Sequence, residues 1–458
     1  MRRRAYLLAA VLALGFAYDV TRIPVQVTDS LGDLLEVQVE PSMASAFTSG
    51  LTIPGFLRPL KAVQTRLVSD LSMGSYTLAF RGVHVVLLLL TIWMFVRVMQ
   101  VDTGTDLAAA AFALTVLLGL HTFANLLREA YPINHFLEIM LFALIALRLA
   151  QGKPGWLPDT AAALLLAVGA LVVESGLLIW VVIVAAWLSG MRGISTRGLV
   201  LVTLLLCGYA YWRFVVIASG VPTLDERSSA VWLRVLDPEE ISERFGGNQL
   251  LFFGYNIAAA VLSVLLSEPR AGLWVTVRAY LDSELWPWMV VALVCSTVTT
   301  ALIITAAISS WRDRAGRDGS DRFYFIAVAV IAANAVLTYG YLKNDLMSLA
   351  GCFYALAAYA AVRRLLRRSS GMRPLTVAVL GVLLLTASAG WAVRTAGLHY
   401  SLRYAAFKNR NEWAAVPERW LDRPEWRPVT ERLRTDALGR RGVAPRFFPT
   451  WQARWFEE

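Results

Sequence analysis

Cysteine and histidine are scarce in this chain, with three and four among 458 residues. Cys207, Cys295 and Cys352 all lie inside apolar runs, where a thiol behaves as a small hydrophobe. That placement excludes a disulfide framework and a zinc motif. A glycine-rich nucleotide loop, a paired-histidine metalloprotease motif and a nucleophile elbow are all missing from the sequence. Charge is thin as well: Asp, Glu, Lys and Arg make up 17% of the residues, against about 25% in an average soluble domain.

What remains is apolar. Hydrophobic residues account for 57% of the chain, in runs that recur along its whole length, the composition of an all-α polytopic membrane protein. The net charge of +10 would suggest nucleic acid in a soluble protein. No nucleic-acid-binding motif accompanies it, and loop arginines obeying the positive-inside rule account for it more simply.

A spanning helix needs about 20 apolar residues. The first run, residues 5–20, follows Arg2, Arg3 and Arg4, which places its start in the cytoplasm. The start resembles a signal peptide, but no clean small-residue cleavage site follows, so a retained helix is expected. Further spans are expected at 83–98, 107–126, 133–149, 160–173, 175–188, 199–217, 286–309, 324–341, 347–362 and 375–393. Cytoplasmic turns then carry Lys153, Arg192 and Arg197, and the arginine-dense stretches WRDRAGRDGSDR (311–322) and VRRLLRRSSGMRP (362–374) face the same side.

Parity decides one ambiguous segment. LLFFGYNIAAAVLSVLL (250–266) is apolar enough to span, yet a crossing there would turn the loop at 311–322 outward. Residues 246–283 are therefore read as an outer excursion, lying along the membrane or re-entering it. Trp286 and Trp288 anchor the next span at the outer interface. The expectation is about eleven transmembrane helices within residues 1–393, with the N-terminus inside and the C-terminus outside. The outer side holds loops with short helices at 21–82 and 221–285, and a tail at 394–458 rich in tryptophan, including Trp413, Trp420 and Trp426.

Chemistry concentrates in the first outer loop. TDSLGDLLEVQVEP (28–41) carries Asp29, Asp33, Glu36 and Glu40 at gaps of four, three and four. On a helix those carboxylates share one face, which could simply be a solvated face. The same loop continues with GFLRPLKAVQTRL (55–67), bearing Arg58, Lys61 and Arg66 on the side that usually avoids cations. Acids and bases gathered outside suggest a site that handles a proton and an anion together. LLREAYPINH (126–135) adds Arg128, Glu129, Tyr131 and His135, and YGYLKND (339–345) adds Lys343 and Asp345. Either could be an ordinary interfacial turn. His84 sits at the outer mouth of the second span. Glu174 falls between two short apolar runs, where a carboxylate costs roughly 2.5–3.5 kcal/mol at mid-bilayer and so needs a partner, water or a capping role.

The order of these pieces resembles the GT-C superfamily of membrane glycosyltransferases: an acidic motif after the first helix (Thr28-Asp29-Ser30 through Asp33), a long outer loop through Phe56-Leu57-Arg58-Pro59-Leu60, a second helix opening Arg81-Gly82-Val83-His84, and a Glu174-Ser175-Gly176 turn. Many members show adjacent acids where this chain has Asp29 and, one turn on, Asp33. The tryptophan-rich signature of oligosaccharyltransferases is not present. The resemblance implies transfer of a sugar from a polyprenyl-phosphate donor to a lipid, glycan or protein acceptor on the outer face of a bacterial inner membrane. It implies Asp29 as general base with Asp33 as support or metal ligand, and Arg58, Arg128 and Lys343 on the donor phosphate with Glu129 and His84 nearby. Two carboxylates one turn apart hold a divalent ion or none. A transporter or lipid flippase, an O-antigen polymerase- or ligase-like enzyme, and a non-catalytic GT-C relative are the alternatives. Transporters favour internal repeats and ionisable groups near the midplane, whereas the ionisable residues here cluster at the outer rim. A topology reporter inserted within residues 314–317 is expected to report cytoplasm; a periplasmic signal there would invalidate the threading.

Overall fold

A computed structural model describes residues 1–27, 29–52, 57–129, 131–217, 230–231, 234–235, 238–267, 277, 279–285, 287–313, 318–340, 344–415 and 424–440. Among the described residues the regular structure is helical apart from a minimal antiparallel hairpin pairing Ala230–Val231 with Arg234–Val235. Among the described residues six helices are long and apolar enough to cross a membrane, or seven if a bent pair counts as one span. Large apolar side chains such as Leu7, Leu204 and Leu385 face outward. The protein is membrane-embedded.

The helices in chain order are α1 (Arg2–Val20), α2 (Asp29–Val39), α3 (Met43–Thr52), α4 (Pro59–Leu71), α5 (Tyr76–Met99), α6 (Gly104–Gly119), α7 (His121–Arg128), α8 (His135–Ala150) and α9 (Trp156–Val172). They continue as α10 (Leu178–Leu188), α11 (Thr196–Tyr211), α12 (Pro238–Phe245), α13 (Gln249–Leu265), α14 (Pro287–Arg312), α15 (Arg322–Leu337), α16 (Ser348–Arg368), α17 (Pro374–Ala414) and α18 (Arg427–Gly439). Not all of the eleven expected spans have full length. Helix α9 has 17 residues, and the 3-10 turn Glu174–Leu177 runs into the 11 residues of α10, so each arm reaches about 25 Å, a little less than a bilayer core ~30 Å thick.

Helix α16 is the central post. It is buried along nearly its whole length and packs against α6, α8, α14 and α15. Its small residues, Ala350, Gly351, Ala357 and Ala358 among them, let neighbouring backbones close in. A Cβ at Gly351 would press on the Thr122 hydroxyl.

Contacts sort the loops to two ends. At the end carrying Arg2, that residue pairs with Asp102 at 2.8 Å, Gln151 donates to the Val98 carbonyl at 3.0 Å, and the Gly193 amide donates to Ala150 at 2.9 Å. Arg363 bridges Asp106 at 2.7 Å and Asp318 at 2.9 Å, Arg367 repeats both bonds at 3.0 and 3.1 Å, and Arg364 holds Asp321 at 2.5 Å. Burial alone would raise Asp318, but the Ser320 hydrogen bonds and the charges of Arg363 and Arg367 outweigh it and hold its carboxyl below the usual range. Its contribution to stability is therefore present above the ordinary carboxylate pKa and fades as pH falls through the lowered one.

Helix α13 starts at the opposite end, where Asn256 donates to the Tyr339 carbonyl at 2.8 Å. Its last turn lies beside Ser296 and Thr300, midway along α14, whose hydroxyls donate to the carbonyls of Leu266 and Leu265. It enters the bundle and stops halfway, so the segment read as an outer excursion dips inward.

Three sequence expectations need correction. The run 107–126 is not straight: it bends by 59° between α6 and α7, at Leu120, whose backbone is extended. The last span does not end at Val393. Helix α17 continues unbroken to Ala414, about 60 Å in all, because Arg394 lies inside the bundle. Its Nε donates to the Gly119 carbonyl at 2.6 Å and its Nη1 to the Ser267 carbonyl at 3.2 Å, the open acceptors that close α6 and follow α13. The acidic stripe is also shorter than expected. Helix α2 stops at Val39, leaving Glu40 before Pro41, a position proline keeps out of the helical region.

Beyond the bundle a small second core forms from Val25, Leu31, Leu34 and Leu35 with Phe80, Trp413 and Leu433. Trp413 is fully buried and donates to the Val25 carbonyl at 2.6 Å. Arg410 caps the far end of α18 through the carbonyls of Arg440 and Leu438. The described part of the tail is thus packed onto the first loop. Trp413→Ala should loosen this layer by about 3–5 kcal/mol. Trypsin cleavage at Arg432 and Arg434 would then run at least about 100-fold faster, and an unchanged cleavage rate would contradict the packing described.

Candidate functional site

The chain places two carboxylates and several cations around one cavity of about 500 Å³. Each arrives there for a local reason. Arg58 precedes Pro59, the first residue of α4, so its backbone is held out of the helix. Glu174 opens the 3-10 turn between α9 and α10, and Gly176 permits that turn: a Cβ there would overlap the Gly169 backbone. The two side chains meet as a fork, Arg58 Nε to Glu174 Oε2 at 3.0 Å and Oε1 at 3.2 Å, and Nη2 to Oε2 at 2.5 Å. Both are partly open to the cavity, with 27% and 30% of the side chain exposed. Arginine's planar fork suits such two-point binding of an oxyanion.

Asp33 enters from α2 and forms an ion pair with Lys61 on α4. On the opposite wall stands His135, the first residue of α8. The Asn134 side chain fixes this helix start by accepting from the Leu137 amide at 3.0 Å and donating to the Leu126 carbonyl at 2.5 Å. His135 Nδ1 lies 3.1 Å from Glu138 Oε2, and Gln64 donates to the other oxygen of Glu138 at 2.8 Å. Arg213 also lines the cavity. It sits in a π-helical turn, Trp212–Val216, at the end of α11, a geometry that re-aims side chains and recurs at functional sites.

A second cavity of about 410 Å³ adjoins the first. It is almost wholly apolar, lined by residues of α3, α9 and α11 that include Phe47, Leu51, Leu166, Leu205 and Trp212. The two linings have no residue in common but include close chain neighbours at three points: Leu57 and Arg58, Ser175 and Leu177, and Trp212 and Arg213. Tyr209 stands at this seam, within the fields of Glu174, Arg213 and Arg58. Its hydroxyl is buried and has no hydrogen-bond partner among the described residues, a state costing about 1–3 kcal/mol unless a ligand or water fills it.

Of the residues singled out from the sequence, Asp33 and Arg58 share the charged cavity. Arg128 and Glu129 do not line it. Arg128 donates to the Asn125 side chain at 2.9 Å, and the Glu129 amide ends α7 on the Asn125 carbonyl at 2.8 Å. His84 is buried behind it, 3.1 Å from Arg81, whose guanidinium in turn donates to the Tyr131 carbonyl and so props the wall loop. Asp29 begins α2, but its side chain lies outside the described residues, as does all of Lys343. Glu36 is exposed and Glu40 accepts from Ser45, so these two acids of the stripe play no part in the cavity.

Sequence reasoning missed Arg213, Tyr209 and the pairing of Arg58 with Glu174. The available signal was an ionisable residue inside an apolar run, which both Glu174 and Arg213 are. Among the described residues no group of three His, Cys, Asp or Glu side chains converges as a metal site, and the cavity's two carboxylates already face cations. No family model, curated protein sequence or solved structure matches the chain.

Proposed function

We propose that the protein is an integral-membrane glycosyltransferase that takes its sugar from a polyprenyl-phosphate donor. The observation that carries this reading is the seam: an apolar cavity of about 410 Å³ and a cavity lined by Arg58, Arg213, Lys61 and Asp33 are lined by chain neighbours, with Tyr209 of the apolar lining close to Glu174, Arg213 and Arg58. A ligand with a greasy tail and a phosphorylated polar head needs that juxtaposition, and a soluble substrate does not. In this reading the chain makes about eleven crossings of a bacterial inner membrane, with the end carrying Arg2 in the cytoplasm and the cavity opening on the periplasmic side. The acceptor is a lipid, glycan or protein on that side.

The chemistry follows from the charges. The acceptor hydroxyl or amine attacks the anomeric carbon. The bond from that carbon to the phosphate oxygen breaks, and the electron pair leaves with polyprenyl phosphate. The donor phosphodiester bears one negative charge and the departing monoester bears up to two, so cations at the phosphate stabilise the transition state more than the bound donor. Arg58 and Arg213 take that role, and Tyr209 donates its unsatisfied hydroxyl to a phosphate oxygen. Glu174 holds the Arg58 fork in place until the phosphate competes for it. The acceptor's proton passes to a carboxylate of α2, Asp29 or Asp33, with Lys61 orienting Asp33.

Membranes containing the protein should move label from a polyprenyl-phosphate hexose or pentose to a second product. Asp33→Asn or Asp29→Asn should slow transfer by about 100-fold or more. Arg58→Gln should lower the turnover number more than it weakens donor binding, since its largest contribution comes at the transition state. If both aspartate variants and Arg58→Gln retain full transfer, the assignment fails.

A further inference from the structure

At the end of the bundle that carries Arg2, remote from the seam, lies a third cavity of about 390 Å³ between α1, α5 and α8. Four cations line it: Arg2, Arg97, Arg148 and Lys153. No carboxylate does. Arg2 reaches Asp102 at the lip, where both side chains are more than half exposed. Arg97 lies over the Trp93 ring, 5.2 Å from its centre. Arg148 and Lys153 have no hydrogen-bond or ion-pair partner among the described residues, and the Arg148 Nε is buried with none. Gln151 is in the same state on its acceptor side: its amide nitrogen is used by the Val98 carbonyl, and its oxygen is buried without a donor.

Helix α16, at the same end, pairs its arginines with acids. Arg363, Arg364, Arg367 and Arg368 each hold an aspartate. In the cavity, by contrast, Arg97, Arg148 and Lys153 converge with no carboxylate in the lining, and Asp102 meets Arg2 only at the lip. Like charges around so small a volume repel one another, and a bound anion removes that repulsion. Guanidinium forks and an ammonium suit the oxygens of a phosphate. The mouth is aromatic: Tyr6 lines the cavity and stacks on Trp93 with ring centres 6.4 Å apart, and Trp93 is 41% exposed on the outward face of α5. Aromatic rims of this kind sit at the headgroup level of a bilayer, and basic pockets between membrane helices hold anionic headgroups there.

We propose that this cavity binds a phosphate group, carried either by an anionic phospholipid or by a soluble phosphate compound, with Arg148 and Lys153 as its principal ligands. The site is separate from the transfer chemistry and does not rest on it.

The test uses the full-length protein, delipidated in detergent and followed by native mass spectrometry during titration with phosphatidylglycerol or phosphatidylcholine. One phosphatidylglycerol should bind about tenfold more tightly than phosphatidylcholine, and Arg148→Gln should remove about fivefold to tenfold of that affinity. Lys153→Gln, in an exposed loop, gives a second reading that does not depend on bundle packing. Arg192→Gln is the control: Arg192 lies at the same end, over Trp187 and outside the cavity, and its loss should leave binding unchanged. Inorganic pyrophosphate distinguishes the source. Displacement of bound lipid by pyrophosphate assigns the site to soluble phosphates, and failure to displace assigns it to the headgroup. Phosphatidylglycerol affinity unchanged in both Arg148→Gln and Lys153→Gln, or reduced equally in Arg192→Gln, overturns the proposal.

Discussion

A charged side chain set among apolar helices has to meet an opposite charge or water, and in this protein the meeting of Arg58 with Glu174 organises everything around it. The pair ties the first long loop, through α4, to the short turn between α9 and α10. Because Glu174 sits at the end of a curtailed helix pair, the loop must descend to reach it, and the bundle is left with a hollow there instead of a flat rim. Asp33 and Lys61 line that hollow, as does His135, which Glu138 backs. Neither Arg58 nor Glu174 is fully buried, so the pair does not bear the desolvation penalty of a dry interior and remains open to exchange with a ligand oxyanion.

The frame that holds this hollow is made differently at its two ends. At the end carrying Arg2, α16 is locked by arginines to Asp106, Asp318 and Asp321, an array in which each acid meets one or two cations. At the opposite end the lock is Asp19, buried at the close of α1. It accepts from His399 at 2.8 Å and from Arg403 at 3.3 Å on α17, while His399 stacks on Phe16. These bonds hold α17 upright far past the apolar part of its length, and Trp413 then seats the tail on the loop that carries Asp33.

Much of this was legible because it follows from single rules. Apolar length predicts membrane helices, and loop arginines predict which loops gather together, as the contacts among residues 98–106, 150–159, 189–198 and 318–322 illustrate. Glu174 announced itself as an acid in an apolar run. What escaped depends on the third dimension. Arg394 reads as the end of a span because nothing in the sequence says that the bend at Leu120 leaves a carbonyl for it to bind. Arg213 lies inside the expected span 199–217, and a π turn that re-aims it leaves no mark on composition. His84 looks like a site residue by position, yet Arg81 absorbs it into the support of the Tyr131 loop. The Asp29 side chain and all of Lys343 fall outside the described residues, so of the two aspartates proposed as base Asp33 has a described geometry and Asp29 only its place in the sequence pattern.

The central claim is that one amphiphilic ligand occupies both the apolar groove and the charged cavity, with its phosphate at the seam. A structure of the full-length protein determined with a polyprenyl phosphate would test it most directly. The account predicts a prenyl chain lying along Leu166, Leu205 and Trp212, with the phosphate within about 4 Å of the Arg58 or Arg213 guanidinium and beside the Tyr209 hydroxyl. A lipid bound elsewhere, with Arg58 still closed on Glu174 and the groove empty, would contradict it.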